Sequence, residues 1–274
     1  YTGDTYLEIL RAVKRAAPAI HVHAFTPLEV THGAQTLGVP IRDFLSRLID
    51  AGLNSLPGTA AEILDDEVRQ VICADKVNTQ EWLSVMQTAH ELGLRSTATI
   101  MFGHMERPVH WARHLLRIRA LQEQTGGFTE FIPLPFVHMG APMYVKGQAR
   151  KGPTSREAIL MHAVARLVLH PVIQNIQVSW VKMGEQGAAA CLNAGANDAG
   201  GTLMNESISR AAGTQHGQEM IPERMQAMIR AAGRTPQQRT TLYGAVSDER
   251  LHAADTAAPL LPASCAGQVS RAAA

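Results

Sequence analysis

Ser96-Thr97-Ala98-Thr99-Ile100-Met101-Phe102-Gly103-His104-Met105-Glu106-Arg107 is the stretch on which the reading of the chain turns. Its first seven residues are small, β-branched or apolar, the make-up of a buried strand, and they stop at a turn carrying an imidazole, a carboxylate and a guanidinium. Helix signals flank it on both sides. Upstream, Asn78-Thr79-Gln80-Glu81 offers a capping start, Trp82, Val85, Met86 and Ala89 form an apolar stripe, and Gly93 ends the helix. Downstream, Pro108 opens a helix that runs to about Gln124 and stops at Gly126-Gly127. The unit is helix, strand, polar turn, helix, with the chemistry at the C-terminal end of the strand.

The same unit repeats outward in both directions. Before it come a helix from Thr5 to Ala17 broken by Pro18, a strand from Ala19 to Phe25, a helix from Pro40 to Ala51 with Gly52 at its end, and a strand from Leu53 to Leu56. After it come a strand from Glu130 to Phe136, expected to be irregular because of Pro133 and Pro135, and a helix from Ser155 to His170. A fifth strand at Ile176 to Val181, a helix at Gly184 to Ala194, a sixth, polar strand at Asn197 to Leu203 and a closing helix after Pro222 complete the series. From Ser247 the chain turns to Ala, Pro and Ser, so 1–246 is expected to be one domain and 247–274 a tail without packing.

Strands alternating with helices of this length imply parallel pairing, in either a doubly wound sheet or a (β/α)8 barrel. The positions of the polar residues favour the barrel. His23, Thr26, Gly58, Glu62, Gly103, His104, Glu106, His138, Lys182, Asn197 and Asp198 all fall at or just past predicted strand C-termini, which a barrel gathers at one mouth. No GxGxxG follows the first strand, as a dinucleotide fold requires.

Composition narrows the partner. In 274 residues, 25 basic side chains face 24 acidic ones, scattered along the chain, so no charge footprint suits nucleic acid or an anionic membrane surface, and a small molecule is expected. Cys73, Cys191 and Cys265 are odd in number and far apart, which argues against a disulfide framework and for a reducing cytoplasm. No stretch reaches the ~20 apolar residues of a membrane span. The start at Tyr1-Thr2-Gly3-Asp4 lacks an initiator Met, as expected of a sequence that begins inside a longer chain.

Three segments carry candidate chemistry. In Leu56-Pro57-Gly58-Thr59-Ala60-Ala61-Glu62-Ile63 a small-residue turn lets backbone amides approach a ligand, and Glu62 either accepts hydrogen bonds from it or complements a helix dipole. After Phe102, His104 and Glu106 are candidate acid–base groups. Gly195-Ala196-Asn197-Asp198-Ala199-Gly200-Gly201-Thr202, followed by Glu206, packs three glycines around two polar side chains, the pattern of backbone laid against a ligand. The histidines do not make a metal site: His21 and His23 are read onto opposite faces of their strand, and His110 and His114 stand one helix turn apart without HExxH.

Taken in order, five segments resemble the tyrosine-dependent half of the FO synthases: His21-Val22-His23-Ala24-Phe25-Thr26-Pro27-Leu28-Glu29, Leu56 to Leu64, Met101 to Glu106, Trp180 to Gly184 and Gly195 to Thr202. The resemblance covers about residues 1 to 245. It implies a (β/α)8 radical S-adenosylmethionine (SAM) barrel, cut at its N-terminal side, with one [4Fe–4S] cluster that reduces SAM to a 5'-deoxyadenosyl radical. The radical attacks L-tyrosine, whose 4-hydroxybenzyl part joins 5-amino-6-(D-ribitylamino)uracil, and a cyclising half, fused or separate, completes the deazaflavin of coenzyme F420.

By the same resemblance, Gly58, Thr59, Glu62, Phe102 and Gly103 line the cofactor. His104 and Glu106 act at the reaction, and His23, Thr26, His138, Lys182, Asn197, Asp198 and Glu206 hold substrate. The family's CxxxCxxC is absent from these 274 residues, so the chain alone is expected to be inactive. Two other readings use the same features: a futalosine-pathway menaquinone enzyme, separated by its product, and a cluster-free barrel serving as a binding or scaffold subunit, separated by the sequence upstream.

Overall fold

Parallel pairing in chain order builds the wall of the molecule. The computed structural model describes residues 1–203, 207–214, 216 and 219–257. Three strands form a parallel sheet in the order β1 (Ser55–Leu56), β2 (Arg95–Phe102), β3 (Phe128–Pro135). Isolated parallel bridges extend it on both sides: His23 to Ser55 before β1, Phe131 to Ile176 after β3, and Gln177 to Asp198 beyond that. Each position neighbours the one before it in sequence, so the sheet is singly wound. A doubly wound sheet reverses strand order part-way; a (β/α)8-type barrel does not, and the chain forms part of such a barrel.

The pleat sorts side chains between two faces. Ala98, Ile100 and Phe102 of β2, with Phe128 and Phe131 of β3, join the helices Thr79–Glu91, Pro108–Thr125 and Ser155–Leu169 in one buried core, with Phe102 edge-on to Trp111. The alternate residues Thr97, Thr99, Met101, Glu130, Ile132 and Leu134 therefore face the barrel lumen. A second core fastens the N-terminal helices around Leu10, Val30, Phe44 and Leu48, and a third surrounds Val178, Trp180, Cys191 and Met228. No described helix is long and apolar enough to cross a membrane.

As expected, β3 is irregular, but the irregularity lies at its start, where the register shifts between Ser96–Phe128 and Ala98–Phe131, and not at its prolines. Phe131 donates its N–H to Asn175 (2.9 Å) and accepts from Gln177 (2.9 Å), so odd-numbered residues direct their amides away from β2. Pro133 and Pro135 lie on that side, beyond the bridge at Ile176, and no β2–β3 ladder bond is lost to them. Gly184, at φ 66°, kinks the helix Trp180–Asn193, so the fifth strand ends early and Trp180 already begins a helical turn. Among the described residues three helices were not anticipated, Pro27–Leu37 and the short Pro142–Val145 and Ile208–Ala211, and in the tail Asp248–Asp255 is helical behind an N-cap at Ser247.

Buried histidines make this core sensitive to acid. His114 is wholly buried; its Nδ1 accepts from the Leu64 amide (2.9 Å), its Nε2 has no hydrogen-bond partner among the described residues, and burial pushes its pKa down to about 3. His90, held by Thr125 and Ser96, is pushed down by burial to about 4. Both stay neutral in the fold while the unfolded chain protonates below about pH 6.5. Stability should thus fall as pH drops from about 6.5 to 5, by up to about 1.4 kcal/mol per pH unit for each histidine. Denaturant midpoints across that window would measure it, and a flat profile would contradict it.

Candidate functional site

At the end of β2 the chain turns on glycine. Gly103 sits at φ 94°, and a Cβ there would lie 2.2 Å from Pro153 Cδ, so the turn is pressed against the segment Arg150–Thr154. Glu106 organises this turn from inside. Its carboxylate accepts from the amides of Gly103 and His104 (2.8 Å) and from Trp111 Nε1 (3.0 Å), with Arg150 3.7 Å away. Burial alone pushes the Glu106 carboxyl up, yet His104 and these donors hold it below its ordinary value.

His104 is equally enclosed. Its Nδ1 accepts from the Met105 amide (2.8 Å), which leaves Nε2 to donate to Met101 O (3.1 Å), and burial lowers its pKa against the pull of Glu106. Both ring nitrogens are engaged within the turn, Nδ1 lying also 3.2 Å from Glu106 Oε2, so His104 and Glu106 hold each other and the turn in place.

The turn after β1 is built by close approach of two backbones. A Cβ on Gly58 would stand 2.4 Å from Thr97 O; its amide donates to Thr97 Oγ1 (2.7 Å) and its carbonyl accepts from Thr99 Oγ1 (2.6 Å). The space that a side chain would take at Gly58 is thus filled by β2. Ala60 and Glu62 then adopt positive φ (61° and 45°), a strained pair that the buried Arg69 holds by donating to Ala60, Ala61 and Ile63 carbonyls. Arg69 was not anticipated from the sequence. Thr59 is exposed at the mouth, and Glu62 pairs with Lys76 Nζ (2.7 Å).

A cleft of about 310 Å³ opens beside the end of β3. His138 and Lys182, both expected, line it with Lys151, Ser155, Thr214 and His216, which were not, and no acidic side chain is among its described lining. Lys182 Nζ donates to Ser209 Oγ (3.2 Å). The Thr214 hydroxyl is buried with no hydrogen-bond partner among the described residues.

Elsewhere the candidates separate from the mouth. Asn197 and Asp198 stand where their strand begins: Asn197 Oδ1 accepts from Ile176 N (2.8 Å) and Arg166 (2.7 Å), while Asp198 accepts from Gly200 N (2.6 Å) and pairs with Arg239. These side chains hold the wall together at its floor. Thr26 spends its hydroxyl as the N-cap of Pro27–Leu37. His23 faces the lumen with His21, and both rings bond Ser55 Oγ at 2.7 Å; residues two apart share a strand face, which corrects the opposite-face reading. Glu206 lies outside the described residues.

Metal-ligand chemistry is poorly matched by the residues present. The cluster implied by the resemblance needs three thiolates in one loop, but Cys73 caps the helix Asp66–Ile72 and Cys191 is in the third core, both buried, with burial pushing the Cys191 thiol up to about 11. Cys265 lies outside the described residues. These cysteines do not fit a [4Fe–4S] cluster. Asp65, Glu67 and His110 converge within 4.8 Å, but Arg113 and Arg117 already neutralise the two carboxylates.

Comparison with known proteins agrees with this architecture. Residues 125–250 match a family described as the CofH/MqnC C-terminal region. The chain is 52% identical, over 95% of its length, to an FO synthase of Streptomyces avermitilis and 53% identical to that of Streptomyces coelicolor, yet it spans only 30% and 29% of those proteins. It is 52% identical to a 5-amino-6-(D-ribitylamino)uracil–L-tyrosine 4-hydroxyphenyl transferase of Methanopyrus kandleri, covering 88% of this chain and 66% of that one. The solved structure of methylornithine synthase (PylB) shares the fold at a TM-score of 0.55 and 15% identity, covering 86% of this chain and 64% of that one. The chain therefore belongs to the FO synthase family and matches a C-terminal part of the fused enzyme.

Proposed function

We propose that this chain is the substrate-holding part of an enzyme that joins the 4-hydroxybenzyl group of L-tyrosine to 5-amino-6-(D-ribitylamino)uracil, in a reducing cytoplasm. The observation that carries the reading is the 52% identity to the relative named for those two substrates. The [4Fe–4S] cluster and SAM of the family supply the initiating radical when bound; the cluster takes its thiolates from chain outside these 274 residues. What these residues contribute is the wall and the mouth. Glu106 and His104 hold the turn between the β1 and β3 sides, and Thr59 and the Glu62–Lys76 pair stand at the cofactor side of it.

The cleft is the place for tyrosine. Lys151 and Lys182, His138 and the Thr214 hydroxyl present cationic and hydrogen-bonding groups, with no carboxylate among the described lining to repel an anion, which suits the carboxylate of an amino acid. Phe136 and Met139 beside them offer apolar surface for its ring.

The test is product formation. The chain joined to its CxxxCxxC-bearing segment, reduced anaerobically and given SAM, L-tyrosine and the ribityluracil, should yield a 4-hydroxybenzyl adduct of the uracil by mass spectrometry. The 274 residues alone should yield neither adduct nor 5'-deoxyadenosine. A product lacking the hydroxybenzyl group would replace this reading with the menaquinone-type one, and SAM cleavage by the chain alone would overturn the placement of the cluster ligands.

A further inference from the structure

Two helices on the outside of the wall turn large apolar side chains to solvent. On Pro108–Thr125, Val109 and Leu116 are 41% and 58% exposed; on Ser155–Leu169, Leu160 and Leu167 are 49% and 79% exposed. In each pair the residues stand seven apart, two helical turns and roughly 10 Å along one face. That face is opposite the one burying Trp111, Leu115 and Ile118 in the first helix and Met161, Ala165 and Leu169 in the second. Arg119 donates to Val168 O and Gln122 to Val172 O, which fastens the helices side by side and brings Leu116 to the height of Leu167 and Val109 to that of Leu160.

The positions in between do not break the surface. Ala112, Ala120 and Ala163 carry only methyls, and Arg113 turns its guanidinium away to Asp65 and Glu67. Single exposed leucines are ordinary, whereas a two-by-two block of large apolar side chains has the make-up of an interface core.

The rest of the barrel does not reach this block. The wall runs from His23 through β1, β2 and β3 to Ile176 and Asp198, so the strands that close it join the His23 and Asp198 edges. The two helices follow β2 and β3, the middle of the wall, and stand across the barrel from that gap. A second body exists in the relatives. The chain covers 66% of the Methanopyrus transferase but only 30% and 29% of the Streptomyces FO synthases, so more than half of such an FO synthase lies outside the tyrosine-dependent half.

We propose that the block of Val109, Leu116, Leu160 and Leu167 is the surface on which the cyclising half of the fused enzyme docks. The proposal rests on membership of that family and not on which substrates the tyrosine-dependent half joins. Docking there leaves the mouth uncovered, because the block lies on outer helix faces and not at the strand ends.

The test places a cysteine at Leu167 in the whole fused polypeptide and follows maleimide labelling of that site by mass spectrometry of its peptide. Leu167→Cys should label about tenfold or more slower in the folded protein than in urea, as a site covered nine-tenths of the time does. Dilution from about 50 to about 0.5 μM should leave the protection unchanged, because a fused partner stays with its surface at any concentration. Adding Leu116→Glu, which sets a charge in the covered face, should bring labelling to within about threefold of the unfolded rate. Leu160→Lys gives the same readout if Leu116→Glu does not fold.

Four results would overturn the proposal. Labelling near the unfolded rate without Leu116→Glu would show a bare surface, and protection kept in a folded Leu116→Glu variant would place the contact elsewhere. Protection lost on dilution would assign the block to a second copy of the chain. Protection that survives proteolytic removal of the cyclising half would assign the cover to the tyrosine-dependent half itself. No arm reads adduct formation, so a failure of the proposed function leaves this test standing.

Discussion

Glu106→Ala should destabilise the protein by about 3–5 kcal/mol, the summed cost of leaving buried donors without an acceptor. Among the described residues the carboxylate is the sole hydrogen-bond partner of the Gly103 amide, the His104 amide and Trp111 Nε1, all inside the core. Its removal also leaves Arg150 with Glu157 alone, loosening the segment that presses on Gly103. Glu106→Gln keeps one oxygen and should cost about half as much. Urea unfolding of the two variants checks this. A loss below about 1 kcal/mol for the alanine variant would show that the turn holds itself without the carboxylate.

Gly58→Ala tests the other side of the mouth. A methyl at this position meets the β2 backbone at 2.4 Å (Thr97 O) and 2.7 Å (Ala98 Cα), neither of which can rotate away. Relief requires separating β1 from β2, at the expense of both Gly58–threonine hydrogen bonds. We expect about 3 kcal/mol or more, at the upper end for overpacking. Gly201→Ala is the matched control: nothing lies within 4 Å of its Cβ position and its φ carries no penalty, so its midpoint should move by less than about 0.5 kcal/mol. Equal effects at the two sites would mean that β1 and β2 do not approach as closely as described.

The fold was legible because its repeating unit is local. A capping box, an apolar stripe, a glycine and then an extended run can be read without knowing what packs on what, as at Asn78 to Phe102. The helix Pro27–Leu37 escaped because its buried face is made of Val30, Gly33 and Ala34, too small to form a stripe, with the Phe44 ring filling the space at Gly33. Its Thr26-Pro27-Leu28-Glu29 capping box was nonetheless a usable signal.

Residue roles were harder to read, for a physical reason. A polar side chain at a strand end shows that hydrogen bonds are made there, but not whether backbone or ligand makes them; His104 and Glu106 bond backbone. Asn197 and Asp198 were assigned to the mouth although their strand begins at that point, which places them at the floor. Glu130, Arg239 and Tyr243 meet across a long span of chain that no local pattern reports. The signal available for Glu130 was a charge between Phe128 and Phe131 in an otherwise apolar strand.

Ring-labelled L-tyrosine follows the proposed transfer atom by atom. In the reconstituted whole polypeptide with SAM and the ribityluracil, the label should appear in the uracil adduct as an intact 4-hydroxybenzyl unit, and only when tyrosine, SAM and the uracil are all present. An unlabelled adduct, or label released with the uracil unchanged, would contradict the assignment of this chain to the tyrosine-dependent reaction.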